Sequence, residues 1–136
     1  MDSLGNHQRI ILPSLKLGQI VLSDRSRPSM VFGAKSPEDI PRLISLNQSI
    51  LGSNFIWPDA IFIFDVSVET AIERSRKKNR ELDGHENKLV LTRVRRNYLA
   101  FASLYPNCHV INAEGSPQEI SGDVSTIMES AFASRK

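Results

Sequence analysis

Apolar residues in this chain alternate between short, near-continuous runs and longer stretches in which they recur every three or four positions. The runs read as strands and the recurrent stretches as helices. Residues 7–17 predict a helix containing Pro13, with Gly18 as its stop. Ile20-Val21-Leu22-Ser23 then forms an apolar run ending in Asp24-Arg25, the pattern of a parallel strand over 20–24 that is covered on both faces. Ser36-Pro37-Glu38-Asp39 predicts a helix start with Ser36 as N-cap and Pro37 in the first position. Ile40, Leu43, Ile44, Asn47 and Leu51 carry that helix to about Gly52. Ala60-Ile61-Phe62-Ile63-Phe64-Asp65-Val66 is the best strand in the chain.

Ser67 is placed to cap the next helix, which runs through Ala71-Ile72 into Arg74-Ser75-Arg76-Lys77-Lys78-Asn79-Arg80. After a break near Asp83-Gly84-His85, Leu91, Val94, Tyr98, Phe101 and Tyr105 mark the buried stripe of a long helix, with Arg93, Arg95 and Arg96 on its other faces. His109-Val110-Ile111-Asn112-Ala113 is a third short strand, and Ser116-Pro117-Gln118-Glu119 is a capping box opening a last helix striped by Ile120, Val124, Ile127 and Ala131. The order α-β-α-β-α-α-β-α predicts an α/β fold in a single domain, residues 1–136.

Composition narrows the classes. At 136 residues and 40 % hydrophobic content the chain can build one core and not two. No apolar run reaches the 18 residues of a membrane span and no signal-peptide pattern opens the chain, so no membrane partner is expected. A lone Cys108 excludes an internal disulfide framework and a Cys/His metal signature, which makes a reducing, cytoplasmic location the expectation. His7, His85 and His109 are scattered, and no nucleophile-base arrangement of a hydrolase is visible. Net charge is only +2, yet residues 73–96 hold nine Lys/Arg against four Asp/Glu. So local a positive charge suits a small polyanion such as a nucleotide phosphate better than duplex nucleic acid, and it equally suits a solvated helix.

Asp24-Arg25 is the first candidate for chemistry. In open α/β sheets ligands collect beyond the carboxyl ends of the strands. An Asp there can hold a hydrated divalent cation and an Arg offers a planar fork of donors to phosphate. A surface ion pair at a strand exit is the plainer alternative.

Taken in order, the pieces resemble the carboxyl-terminal two-thirds of a thymidylate kinase, over nearly the whole chain. The resemblance rests on Ile11-Leu12-Pro13-Ser14-Leu15 with Gly18, Ser23-Asp24-Arg25 with Ser29, Pro58-Asp59 before Phe62-Ile63-Phe64-Asp65-Val66, Arg74 and Arg76, Glu81-Leu82-Asp83 with Glu86, and Arg93-Val94-Arg95-Arg96-Asn97-Tyr98. It implies a three-layer parallel sheet flanked by helices, of the P-loop kinase type, and transfer of the γ-phosphate of ATP to thymidine monophosphate (dTMP) with Mg2+. It also implies a nucleoside monophosphate as partner and a homodimer as the expected assembly.

By the same resemblance Asp24 stands near the magnesium and the acceptor phosphate, Arg25 grips that phosphate, and Ser29 and Phe32 line the nucleoside pocket. Residues 74–88 form a lid that brings Arg76 or Arg80 over the transferring group, so Asp24, Arg25, Arg76 and Arg80 are the catalytic candidates. Arg74 and Arg76 lie on the ATP side, and residues from Asn112 and Ala113 to Pro117 border the adenine. Ser26 departs from the aromatic or His usual after the Asp-Arg pair, and the stretch from Ser29 to Gly33 is shorter than the usual spacing.

The amino-terminal strand-loop-helix region of the family is absent: nowhere do these residues contain GxxxxGK[ST], the loop whose amides and lysine cradle donor phosphates. In the family the strand entering that loop lies between the strands matched by 20–24 and 60–66, so both are expected to have an unpaired edge. The chain can pair the two strands directly, recruit a strand from another chain, leave the edges exposed and aggregate, or belong to a longer protein. The first expectation is accordingly a thymidylate kinase sequence lacking its donor portion and inactive alone, and the second a non-catalytic nucleotide- or partner-binding homologue. The third is another nucleoside or nucleotide kinase of the same fold, since fold and lid arginines do not fix the acceptor.

Overall fold

The structure, a computed structural model, describes residues 7–24, 31–78 and 84–133. A π-helical turn, His7–Ile11, runs into α1, Leu12–Lys16, with Pro13 in the first turn, where its missing N–H leaves nothing unpaired. Gly18 ends the segment with φ 74°, left-handed backbone that side-chain-bearing residues rarely adopt.

The apolar run that follows is not a strand. Residues 19–23 have no regular structure, and Ile20 and Leu22 are 74 % and 83 % exposed. A short apolar run becomes a strand only when a ladder partner and a covering layer receive it, and no described segment pairs with this one.

A 3₁₀ turn, Pro37–Asp39, leads into α2, Ile40–Leu51, which Gly52 closes at φ 53°. Ser36 has the extended backbone of an N-cap, but its side chain makes no capping bond. Asp39 instead accepts from the Lys35 N–H at 3.2 Å. β1, Ile61–Asp65, is followed by α3, Val68–Lys77, and by the long α4, Gly84–Leu104. β2, Cys108–Asn112, and α5, Pro117–Ala133, complete the order. The other two capping serines act as expected. Ser67 Oγ accepts from the Thr70 N–H at 3.1 Å, and Ser116 Oγ from the Glu119 N–H at 3.2 Å.

The described sheet has two strands rather than three, in parallel, with Ile61 opposite Cys108 and Asp65 opposite Asn112. Ile61 N–H donates to Asn107 O and Ala113 N–H to Asp65 O, both at 2.8 Å. Parallel pairing alternates, so Ile61, Ile63 and Asp65 turn their peptide groups to β2 while Phe62 and Phe64 turn theirs outward. That outer edge has no ladder partner among the described residues, as expected for this strand. The three-layer arrangement survives in minimal form, with α4 on the Ile61/Ile63 face and α5 against β2 on the other.

Val31, Ala34, Ile40, Ile44, Ile61, Ile63 and Phe101 form the core, with Tyr98, Tyr105 and Trp57 packed against it. Trp57 stacks on Phe101 at 5.9 Å and reaches Tyr105 at 5.2 Å, and its indole N–H donates to Pro106 O at 3.0 Å. This cluster pins the loop that feeds β1 to the end of α4, which sets the strand's position. Of the stripe its spacing predicts, Phe101 is core and Tyr98 and Tyr105 pack against it, whereas Leu91 and Val94 are only half-buried, and the fully buried Asn97 lies outside that pattern. Arg93, expected on an outer face, is half-buried.

Candidate functional site

Chain direction alone brings the ends of β1 and β2 to one side of the sheet, and the charged residues gather there. Asp65 ends β1. Arg95 of α4 reaches it with both arms of its guanidinium, Nε to Oδ1 at 2.7 Å and Nη2 to Oδ2 at 3.0 Å. This pair raises the already high pKa of Arg95, through the hydrogen bonds to Asp65 first and its charge second. Lys88 lies 3.5 Å from Glu69 on the same rim, with both side chains well exposed.

After β2 the chain is sewn to the first turns of α3. Glu114 Oε1 accepts from the Ser67 N–H at 2.6 Å, and its Oε2 from the Thr70 hydroxyl at 2.7 Å. These bonds hold the Glu114 carboxyl below its ordinary pKa, the Ser67 amide contributing most. Asn112 Oδ1 accepts from the Glu114 N–H at 2.9 Å, shaping the turn. Arg74 donates from Nη1 to Ala113 O at 2.8 Å and from Nη2 to Glu114 O at 3.0 Å. A helix N-terminus, a basic side chain and a post-strand turn are thus locked together at the carboxyl end of the sheet. Beside them an open cleft of about 430 Å³ is lined by Phe64, Ala113, Pro117, Ile120 and Val124.

Three of the residues expected on the ATP side, Arg74, Asn112 and Ala113, come together in this network. Arg76 is exposed on α3 and makes no hydrogen bond or ion pair with the described residues. Phe32 is 54 % exposed on a tight turn at 31–33, and Asp24 is exposed where the irregular stretch ends. Arg25, Ser29 and Arg80 lie outside the described residues. Among the described residues no group of three or more His, Cys, Asp or Glu could hold a metal ion. Magnesium bound through nucleotide phosphates needs only one or two carboxylates with water filling the remainder, and the exposed Asp24 fits that requirement. Glu114 and Arg95 carry no expected role. The rule that picked out Asp24, charge placed just after a strand, also points to Glu114, two residues beyond β2.

A parallel strand pair with helices on both faces and its charged groups at the carboxyl ends defines an α/β protein of the kind that binds ligands at that end. The family model for thymidylate kinase matches residues 2–124, and the chain belongs to that family. It is 33 % identical to a thymidylate kinase of Nitratidesulfovibrio vulgaris over 136 residues, with 92 % of this chain and 62 % of the relative covered. A probable thymidylate kinase of Thermococcus onnurineus is 28 % identical over 135 residues, covering 98 % and 63 % of the two chains. One from Thermosipho africanus is 28 % identical over 124 residues, covering 90 % and 61 %. The chain therefore spans about six-tenths of the length of the curated relatives it matches. The family implies the P-loop kinase fold, of which the two-stranded sheet and its helices are a part. No helix among the described residues is long and apolar enough to cross a membrane.

Proposed function

We propose that this chain carries the acceptor side, the lid and the adenine-side wall of a dTMP kinase, and takes part in moving the γ-phosphate of ATP to dTMP when a donor phosphate loop is provided by sequence outside these 136 residues. The observation that carries the reading is the gathering of Arg74, Asn112 and Ala113 at the carboxyl ends of two parallel strands in a member of the thymidylate kinase family. Phosphoryl transfer depends on positioning and on neutralising charge rather than on covalent chemistry by the protein. In this reading Arg25 holds the acceptor phosphate, Ser29 and Phe32 receive the nucleoside, and Arg76 and Arg80 come over the transferring group from the lid. Arg74, with Asn112 and Ala113, forms the wall on the ATP side. Asp24 holds the Mg2+ that arrives with the nucleotide and supplies further neutralisation of phosphate charge.

Two measurements test this. Calorimetry of the chain with dTMP should give one site per chain, weakened by Arg25→Ala without loss of fold. A coupled ATP/dTMP assay should show no turnover by these residues alone and turnover once they are joined to a GxxxxGK[ST]-containing segment. Failure of every such extended form to phosphorylate dTMP overturns the kinase reading. The basic segment at residues 73–96 also suits a second reading, a non-catalytic homologue that binds a nucleotide or a protein partner through it. Binding of dTMP with no turnover in any extended form selects it.

A further inference from the structure

Asn97 is the one fully buried polar side chain among the described residues, with no exposed surface. Its Nδ2 donates to Ala34 O at 2.9 Å and lies 3.5 Å from Val31 O. Both carbonyls belong to a single turn in which Val31 and Ala34 are buried while Phe32, between them, stands exposed. The turn closes on itself through Ala34 N–H to Val31 O at 3.1 Å. Among the described residues Asn97 Oδ1 has no partner, nor does the buried Nε of Arg93, one helical turn earlier on α4. An apolar side chain of similar size would remove that unpaired acceptor but would also strand the Ala34 carbonyl, which loses its Nδ2 donor. Retaining a carboxamide makes sense where its donor end has work to do, and the work visible here is holding the carbonyls of the turn that presents Phe32.

We infer that Asn97 is a positioning residue for nucleoside binding, holding the turn at 31–34 so that Phe32 stands out from α4 as a fixed apolar platform for the base or sugar of a nucleoside monophosphate. The inference rests on the dTMP-binding reading above. It adds a residue that touches no ligand and acts through Phe32. An aromatic ring on an immobilised turn meets a base with little ordering left to do. The same ring on a loose turn has to be ordered at each binding event.

The test is a calorimetric double-mutant cycle on the full chain, with dTMP, thymidine and inorganic phosphate as separate titrants. Phe32→Ala and Asn97→Ala should each weaken dTMP and thymidine about tenfold, with the double variant no weaker than either, because residues acting through one another are not additive. Affinity for inorganic phosphate should stay at the parent's value, which a general loss of fold would not allow. Asn97→Leu, which fills the space and removes both polar ends, should reproduce the selective loss in a protein whose circular dichroism melt remains cooperative. Parent-like dTMP affinity in either Asn97 variant, losses that add to those of Phe32→Ala, or a parallel fall in phosphate affinity overturns the inference alone. A parent chain that binds no dTMP overturns the acceptor reading together with it.

Discussion

Nη1 of Arg74 donates to the carbonyl of Ala113 at 2.8 Å across 39 residues of chain, and Nη2 takes the next carbonyl at 3.0 Å. A planar fork that holds two consecutive peptide oxygens is a task for which guanidinium is shaped and ammonium is not. Arg74→Lys keeps the charge but can satisfy only one of the two. It should lower stability by about 1 kcal/mol, the net value of one hydrogen bond, read as a fall in thermal midpoint at unchanged secondary structure. Equal midpoints would show that the second bond contributes nothing.

Two residues further along α3, Arg76 has no such task. It is exposed and without a polar partner among the described residues, so Arg76→Ala should leave the melting midpoint within the ~0.5 kcal/mol scatter of surface substitutions. In an extended form carrying a donor loop the same change should cut kcat for dTMP phosphorylation tenfold or more, as removal of a transition-state charge partner does. A stable variant with parent-like kcat would take Arg76 out of the lid's chemistry.

The Glu114 carboxyl, lowered by the Ser67 amide and the Thr70 hydroxyl, predicts a pH dependence of known sign. A carboxyl that is more acidic when folded than when unfolded binds its proton less readily in the native state. Its contribution is complete above the ordinary glutamate range and is lost as pH falls through the depressed folded value. Chemical denaturation followed from neutral to acid pH should therefore fall off less steeply in Glu114→Gln than in the parent. Identical acid limbs would show that Glu114 is not held as described.

Phe101 is buried completely, where Trp57, Tyr105 and the strand side chains meet. Phe101→Ala should lower stability by about 3–5 kcal/mol, the loss for a buried aromatic including the cavity it leaves. Because typical domains hold only about 5–15 kcal/mol in all, the variant should melt well below the parent or fail to fold. A shift equivalent to less than about 1 kcal/mol would mean that the cavity collapses.

Most local features were legible in the sequence, the Ser36 cap excepted because its side chain makes no capping bond, and features that depend on a distant partner were not. Gly18 and Gly52 stop their helices because the backbone requirement is met within one residue. Ser67 and Ser116 accept from amides three residues on for the same reason. Ile20 to Leu22 has the composition of a strand, but strand formation is decided by what lies alongside, and no described segment pairs with it. Both strands of the pair are readable as apolar runs, but their pairing joins residues far apart in the chain, Ile61 with Cys108, and shows only in the structure. Asn97 was hidden in the middle of an apolar stripe because its partners, the carbonyls of residues 31 and 34, are more than sixty residues away. Arg74, Asn112 and Ala113 are each readable in the sequence as separate residues of the ATP side. That they form one network becomes visible only when β1 and β2 run in the same direction.

The outward peptide groups of Phe62 and Phe64 give the isolated chain a second chemistry of its own. A row of donors and acceptors with no ladder partner among the described residues, beside a ring that is 57 % exposed, is a seed for accretion of extended polypeptide. Lifetime in solution is then a matter of concentration and of how quickly that flank is capped. A shielding strand would serve the molecule as a preservative before it served as part of any enzyme.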